Sequence, residues 1–190
     1  MNDNNTLPEK FTRWLLIASS LIFLYTTGFG SFSTLTQRAL HWAFMGTCAF
    51  LLLKPKTAFG KVSKYFLATI TLLTSVYVIV TWPQRIFGVG DVSTLDVVLG
   101  LCALVALLIA VKLTVGWGLT IIAGLSIVYA IWGPIFPGFL GHSGVKIPRL
   151  VNFLYLTAEG IFGVALGMSS TYIIAFVIFG SVLSALGGGE

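Results

Sequence analysis

The sequence predicts an all-α, polytopic integral membrane protein, and three observations carry that prediction. The 190 residues are 57% hydrophobic and only 9% charged, against about 25% charged in ordinary globular domains. Mean hydropathy is +0.98. Several stretches carry no formal charge at all, the longest running from 113 to 145; a charged residue at the centre of a spanning helix costs roughly 2.5–3.5 kcal/mol. The Lys and Arg residues punctuate the apolar stretches instead of forming one face.

A helix rising 1.5 Å per residue needs about 20 residues to cross the ~30 Å hydrocarbon core. The first charge-free run, 14–33, follows Lys10 and Arg13. It resembles a secretory signal, but it continues uncharged to Gln37 without a defined cleavage site and further spans follow, so a retained helix is expected. The second run, 38–53, is short, and Arg38 and Lys54 are expected to snorkel at its ends. A third, 65–82, is expected to stop at Pro83, which lacks a backbone donor and clashes with the preceding turn. Region 95–132 is too long for one crossing and is broken by Lys112 and Gly116-Trp117-Gly118, giving spans 95–111 and 117–132. A polar interval, 141–149, follows Gly133-Pro134 and Pro137-Gly138. The sixth apolar region, 150–186, is interrupted only by Glu159 and must break, with Gly160, Gly163 and Gly167 the candidate places.

Orientation follows the basic residues. With Lys54, Lys56, Lys61 and Lys64 in the cytoplasm, Lys10, Arg13 and Lys112 fall on the same side, and Arg38, Arg85, Lys146 and Arg149 lie outside. The expected topology is therefore multi-pass with a cytoplasmic N-terminus. Trp82, Trp117 and Trp132 near span ends fit an interfacial aromatic belt.

The net charge of +5 does not indicate nucleic acid, because no basic face with interleaved aromatics exists. Cys48 and Cys102 lie in apolar runs without a metal-type spacing and read as packing residues. No HExxH, GxSxG or Walker glycine loop is present, and Gly88-Val89-Gly90-Asp91 follows a helix rather than a strand, so an enzyme is not expected. His41 reads as an interfacial histidine, His142 as a solvated loop residue, and Lys112 as a cytoplasmic stop. Asp96, after Ser93-Thr94, reads as a helix-opening group favoured by the helix dipole.

Glu159 stands apart, followed by Gly163, Gly167, Ser169, Ser170 and Thr171. If helical, positions 159, 163, 167 and 170 share a face. Such a stripe permits close helix packing through Gly163-xxx-Gly167, or an opened backbone presenting carbonyls and hydroxyls to an ion or substrate. Glu159 itself equally fits the membrane surface.

The run 155–163 (YLTAEGIFG), then Leu166-Gly167-Met168-Ser169-Ser170-Thr171, Phe176-Val177-Ile178-Phe179-Gly180 and Gly187-Gly188-Gly189, resembles the opening of the large membrane domain in fused TRAP transporter permeases, in the branch served by TAXI-type receptors. Arg38-Ala39-Leu40-His41, Val115-Gly116-Trp117, Tyr129-Ala130-Ile131-Trp132-Gly133-Pro134 and Pro137-Gly138 resemble the same branch. The resemblance implies a four-helix scaffold domain over 1–113, a connecting helix and external loop over 114–148, and the start of an inverted-repeat transport domain over 149–190. It implies import of an organic acid delivered by an extracytoplasmic solute receptor, coupled to an ion, with sodium the family's ion and no other cofactor. Glu159, Gly163, Gly167, Ser169, Ser170 and Thr171 are the candidate ion or substrate contacts. The implied partners are the receptor, the remainder of the large permease domain and the lipid bilayer. Because the family continues well beyond the equivalent of Glu190, a fragment is expected; the alternative is a separate membrane scaffold or assembly subunit with no transport site of its own. Whether 161–186 crosses once or folds back stays open at this level.

Overall fold

A computed structural model of the chain describes residues 7–55, 57–85 and 92–188. Among them the regular structure is entirely helical, comprising α1 (Leu7–Phe29), α2 (Thr34–Leu51), α3 (Ala58–Arg85), α4 (Thr94–Thr114), α5 (Trp117–Ile131), α6 (Ile147–Tyr155), α7 (Val164–Met168) and α8 (Ile174–Ala185). A π-helical turn, Ser169–Ile173, joins α7 to α8, so that Val164–Ala185 runs as one helix of 22 residues. Lys56, Gly88, Gly90, Asp91, Gly189 and Glu190 lie outside the described residues.

Three helices, Ala58–Arg85, Thr94–Thr114 and Val164–Ala185, are long and apolar enough to cross a membrane. Their exposed faces are apolar: Phe66, Leu73, Val105, Phe176 and Phe179 are each more than half exposed. A contiguous surface of that kind has no stable place in water. The fold is consistent with a membrane protein.

Chain breaks follow glycine geometry where the backbone requires it. Gly30, at φ 120°, follows the end of α1, and Gly116, at φ 110°, separates α4 from α5; an L side chain is strained in that region. α5 is apolar but has only 15 residues, about 22 Å of rise, and buries none of them. Its range agrees with the expected 117–132 to within one residue, and it is shorter than the roughly 20 residues of a full crossing.

Pro83 does not stop α3, contrary to expectation. It stands two residues from the helix end at Arg85, so the lost donor and the clash with the carbonyl of Ile79 bear only on the final two turns. The last turn is held instead by Arg85, which bonds both oxygens of Asp96 at 2.6 Å. Asp96 is fully buried and also accepts from the Tyr77 hydroxyl at 2.8 Å and the Ser93 N–H at 2.8 Å. Ser93 Oγ in turn accepts from Asp96 N–H, closing a capping box on α4. The helix-opening role expected of Asp96 holds, with the α3–α4 ion pair added to it.

α2 packs most extensively on α3, and α4 contacts α3, α5 and α6. One cluster joins Leu35 and Ala39 of α2, Val78 of α3, Ala103 of α4, Val151 and Tyr155 of α6, and Leu156 and Phe162 beyond it. Gly100 lets α4 approach α6; a Cβ there would run into Val151 Cγ1 and lie 3.0 Å from Tyr155 Cδ1. The Tyr155 hydroxyl donates to Thr74 O at 2.7 Å. Buried Thr71, Thr74 and Ser75 bond carbonyls of their own helix, so α3 carries polar side chains inward without leaving their hydroxyls unpaired.

Basic residues complete several helix ends. Lys64 Nζ donates to Leu51 O and Leu53 O at 3.1 Å, satisfying carbonyls that the end of α2 exposes. Lys112 lies in the last turn of α4, with its ammonium 4.1 Å from the Trp117 ring centroid. Both dipole and cation–π terms favour it there.

His142 differs from the solvated residue expected. Its Nε2 lies 3.1 Å from Tyr129 O, Nδ1 accepts from Gly144 N–H at 3.0 Å, and the ring meets Tyr129 edge-on at 4.8 Å. The loop after α5 folds back onto that helix, with Val145 N–H bonded to Ala130 O at 2.8 Å. A period-based reading of the sequence does not see such a return.

Two stability outcomes follow. Gly100→Leu should destabilise the detergent-solubilised protein by about 1–3 kcal/mol through overpacking, whereas Gly118→Leu, where a Cβ meets nothing within 4 Å, should leave its melting temperature close to wild type. Asp96→Ala should cost about 3–5 kcal/mol, because Arg85 and Tyr77 lose a buried partner; denaturant unfolding of the two variants side by side gives the comparison.

Candidate functional site

Residues 156–173 contain the candidate contacts, and three side chains of α2 meet them. α6 ends at Tyr155, and the chain turns through 156–163 before α7 begins. The turn closes on itself: Ile161 N–H donates to Leu154 O at 2.7 Å and Gly163 N–H to Gly160 O at 2.9 Å. A Cβ on Gly160 would strike the Leu154 backbone, and one on Gly163 would sit 2.8 Å from Gly160 O. Glycine is required at both by close approach. The apolar region thus breaks at two of the three glycines expected, while Gly167 stays helical inside α7.

Arg38 reaches this turn. Its Nη1 donates to Phe162 O at 2.7 Å and to Ala158 O at 3.2 Å, so the side chain turns inward instead of snorkelling outward. Neutral carbonyls are good partners for a guanidinium; such charge-assisted bonds are worth roughly 1.5–3 kcal/mol each. The group lies against Gly167, where a Cβ would be 2.7 Å from Nε and 2.8 Å from Nη2. The bare Cα of Gly167 is what admits the guanidinium.

Gln37 and His41 extend the contact along α2. Gln37, 3% exposed, donates through Nε2 to Thr26 Oγ1 and to Ser170 O, each at 3.2 Å. It ties α1 and the π-turn to one amide. His41 Nε2 lies 2.9 Å from Ser169 Oγ, and its ring packs edge-on against Phe23 at 5.2 Å. His41 is buried at 5% exposure, held between Phe23 and Ser169. In the π-turn Ile174 N–H bonds Ser169 O, a five-residue spacing that shifts the ladder exactly where Gln37 meets it. Such turns are costly and recur at functional positions.

The candidate residues are therefore distributed unevenly. Gly167, Ser169, Ser170 and Thr171 gather against α2, and Gly163 opens the helix that carries them. Glu159 is exposed and lies in the turn outside the helix, so the helical face shared by 159, 163, 167 and 170 does not form. Ser170 and Thr171 hydroxyls both bond Gly167 O, at 3.0 and 2.8 Å. Each of these hydroxyls donates its one hydrogen to Gly167 O and keeps its oxygen lone pairs, and the Arg38 guanidinium lies over Gly167. Among the described residues no group of three or more His, Cys, Asp or Glu is placed to hold a metal ion.

Sequence reading missed Gln37 altogether and gave Arg38 and His41 separate surface roles. Their spacing at i, i+1 and i+4 was the available signal, since it puts three polar groups on neighbouring positions of one helix surface. The Arg85–Asp96 pair was also missed; its members flank an interhelical loop and are not neighbours in sequence.

Replacing Arg38 with Gln should release the turn. Amide hydrogen exchange at Ile161 and Gly163 is expected to rise roughly 10- to 100-fold, the equivalent of losing about 1.5–3 kcal/mol of charge-assisted bonding, while α4 amides remain protected.

Comparison of the chain with protein-family models, with curated proteins and with solved structures finds no match.

Proposed function

We propose that the chain is the N-terminal part of a TRAP-type secondary transporter permease that imports an organic acid supplied by an extracytoplasmic receptor, with sodium as the coupling ion. α1–α4 act as a scaffold, α5 connects, and 149–190 opens the transport domain, in a bacterial or archaeal inner membrane with a cytoplasmic N-terminus. The family resemblance of 155–171 supports this reading. The observation that carries it is the grip of Gln37, Arg38 and His41 on 156–170, because a moving domain needs a stationary body fastened to its first segment.

The physical role of the chain follows from what its side chains do. Among the described residues, charged side chains lie in the first two turns or the last turn of a helix or in the connecting turns, and the one salt bridge, Arg85–Asp96, fastens α3 to α4. No chain of ionisable groups among the described residues crosses the bundle to relay protons. The bundle resists displacement, and the π-turn gives the attached helix a place to adjust.

Two experiments test the proposal. Uptake of an organic acid by proteoliposomes containing the complete permease and its receptor should require an inward sodium gradient, and Ser170→Leu should lower it at least tenfold, about 1.4 kcal/mol or more. Uptake indifferent to sodium contradicts the transport reading. In a cysteine-free background, Lys61→Cys should resist an impermeant maleimide in intact cells and react after permeabilisation; labelling from outside overturns the orientation.

A further inference from the structure

Beside Arg38 lies a cleft of about 240 Å³ between the α1–α2 loop and the helix 164–185. Nη1 of Arg38 is engaged by the two turn carbonyls, whereas among the described residues no group bonds Nε or Nη2. No described carboxylate forms an ion pair with Arg38: Asp96 is held by Arg85, and Glu159 is exposed in the turn. The N-terminus of the 164–185 helix also faces this region, since Val164 and Gly167 belong to the cleft wall. Its Gly163 cap offers no side chain, and the first bond of its ladder is Gly167 N–H to Gly163 O, so the N–H groups of 164–166 have no intrahelical acceptor. A cation and the positive end of a helix therefore meet without a counter-charge.

Gln37 lines the same cleft and is 3% exposed, with its Oε1 sealed inside the wall and out of contact with the open space. The rim is apolar and exposed: Phe32 at 46%, Val164 at 71% and Tyr172 at 59%. That rim is continuous with the apolar face of the 164–185 helix, which has the length and composition to cross a bilayer.

We infer that this cleft binds a phosphate oxyanion, its charged oxygens on Arg38 Nε and Nη2. A phosphoglycerol group has that chemistry, whether as a phospholipid headgroup or as a free small molecule. The inference does not depend on the transport reading.

The test is binding to the detergent-solubilised chain, followed by native mass spectrometry and thermal shift, of dioctanoyl phosphatidylglycerol, dioctanoyl phosphatidylcholine and glycerol 3-phosphate. Phosphatidylglycerol should bind at least tenfold more tightly than phosphatidylcholine, whose choline ammonium neutralises the headgroup. Arg38→Gln should lower that affinity about tenfold or more, and Arg38→Lys less. Ser31→Trp fills the cleft from an exposed loop without touching the Arg38 bonds, and should abolish binding while the lipid-free melting temperature stays unchanged. Equal affinity for glycerol 3-phosphate identifies a soluble ligand as the source, and weak binding of it identifies the lipid. Equal binding of the two lipids, or affinity that survives both Arg38→Gln and Ser31→Trp, overturns the inference.

Discussion

A single guanidinium directed at backbone carbonyls organises the second half of this molecule. Arg38 bonds the carbonyls of Ala158 and Phe162, because the turn between α6 and α7 exposes acceptors that no helix can satisfy. In a medium without water those acceptors would each cost several kcal/mol. Gly167 makes the approach sterically open, and Gln37 and His41, on the same helix, extend the hold to Ser170 and Ser169.

The other charged junction has the opposite balance. Asp96 gathers Arg85, Tyr77, Ser93 and the start of α4 into one fully compensated node. Arg38 instead retains net positive charge after its protein bonds are counted. A compensated pair fastens, whereas an uncompensated charge both fastens and attracts. This difference distinguishes a purely structural joint between α3 and α4 from a joint that can also hold a ligand.

Most helices were legible because charge-free length and glycine breaks are local signals. The break near Gly160 and Gly163, the α4–α5 division at Gly116 and the cap at Asp96 all came from such signals. Extents were less secure: α3 passes Pro83 because an ion pair beyond the helix supports its last turn. The clasp was illegible for a related reason. Gln37 and Ser170 lie far apart in sequence, and only the return of the chain at 156–163 makes them neighbours. Glu159 drew attention as an intramembrane carboxylate, yet the same return leaves it on an exposed turn.

The most direct measurement is the dipolar coupling between ¹⁵N-labelled Arg38 side-chain nitrogen and the ¹³C-labelled carbonyl of Phe162, recorded by solid-state NMR with the protein in lipid bilayers. The expected result is a nitrogen–carbon separation of about 4 Å or less, as a direct hydrogen bond requires. A separation beyond about 6 Å, too long for that bond, would contradict the clasp and with it the scaffold that depends on it.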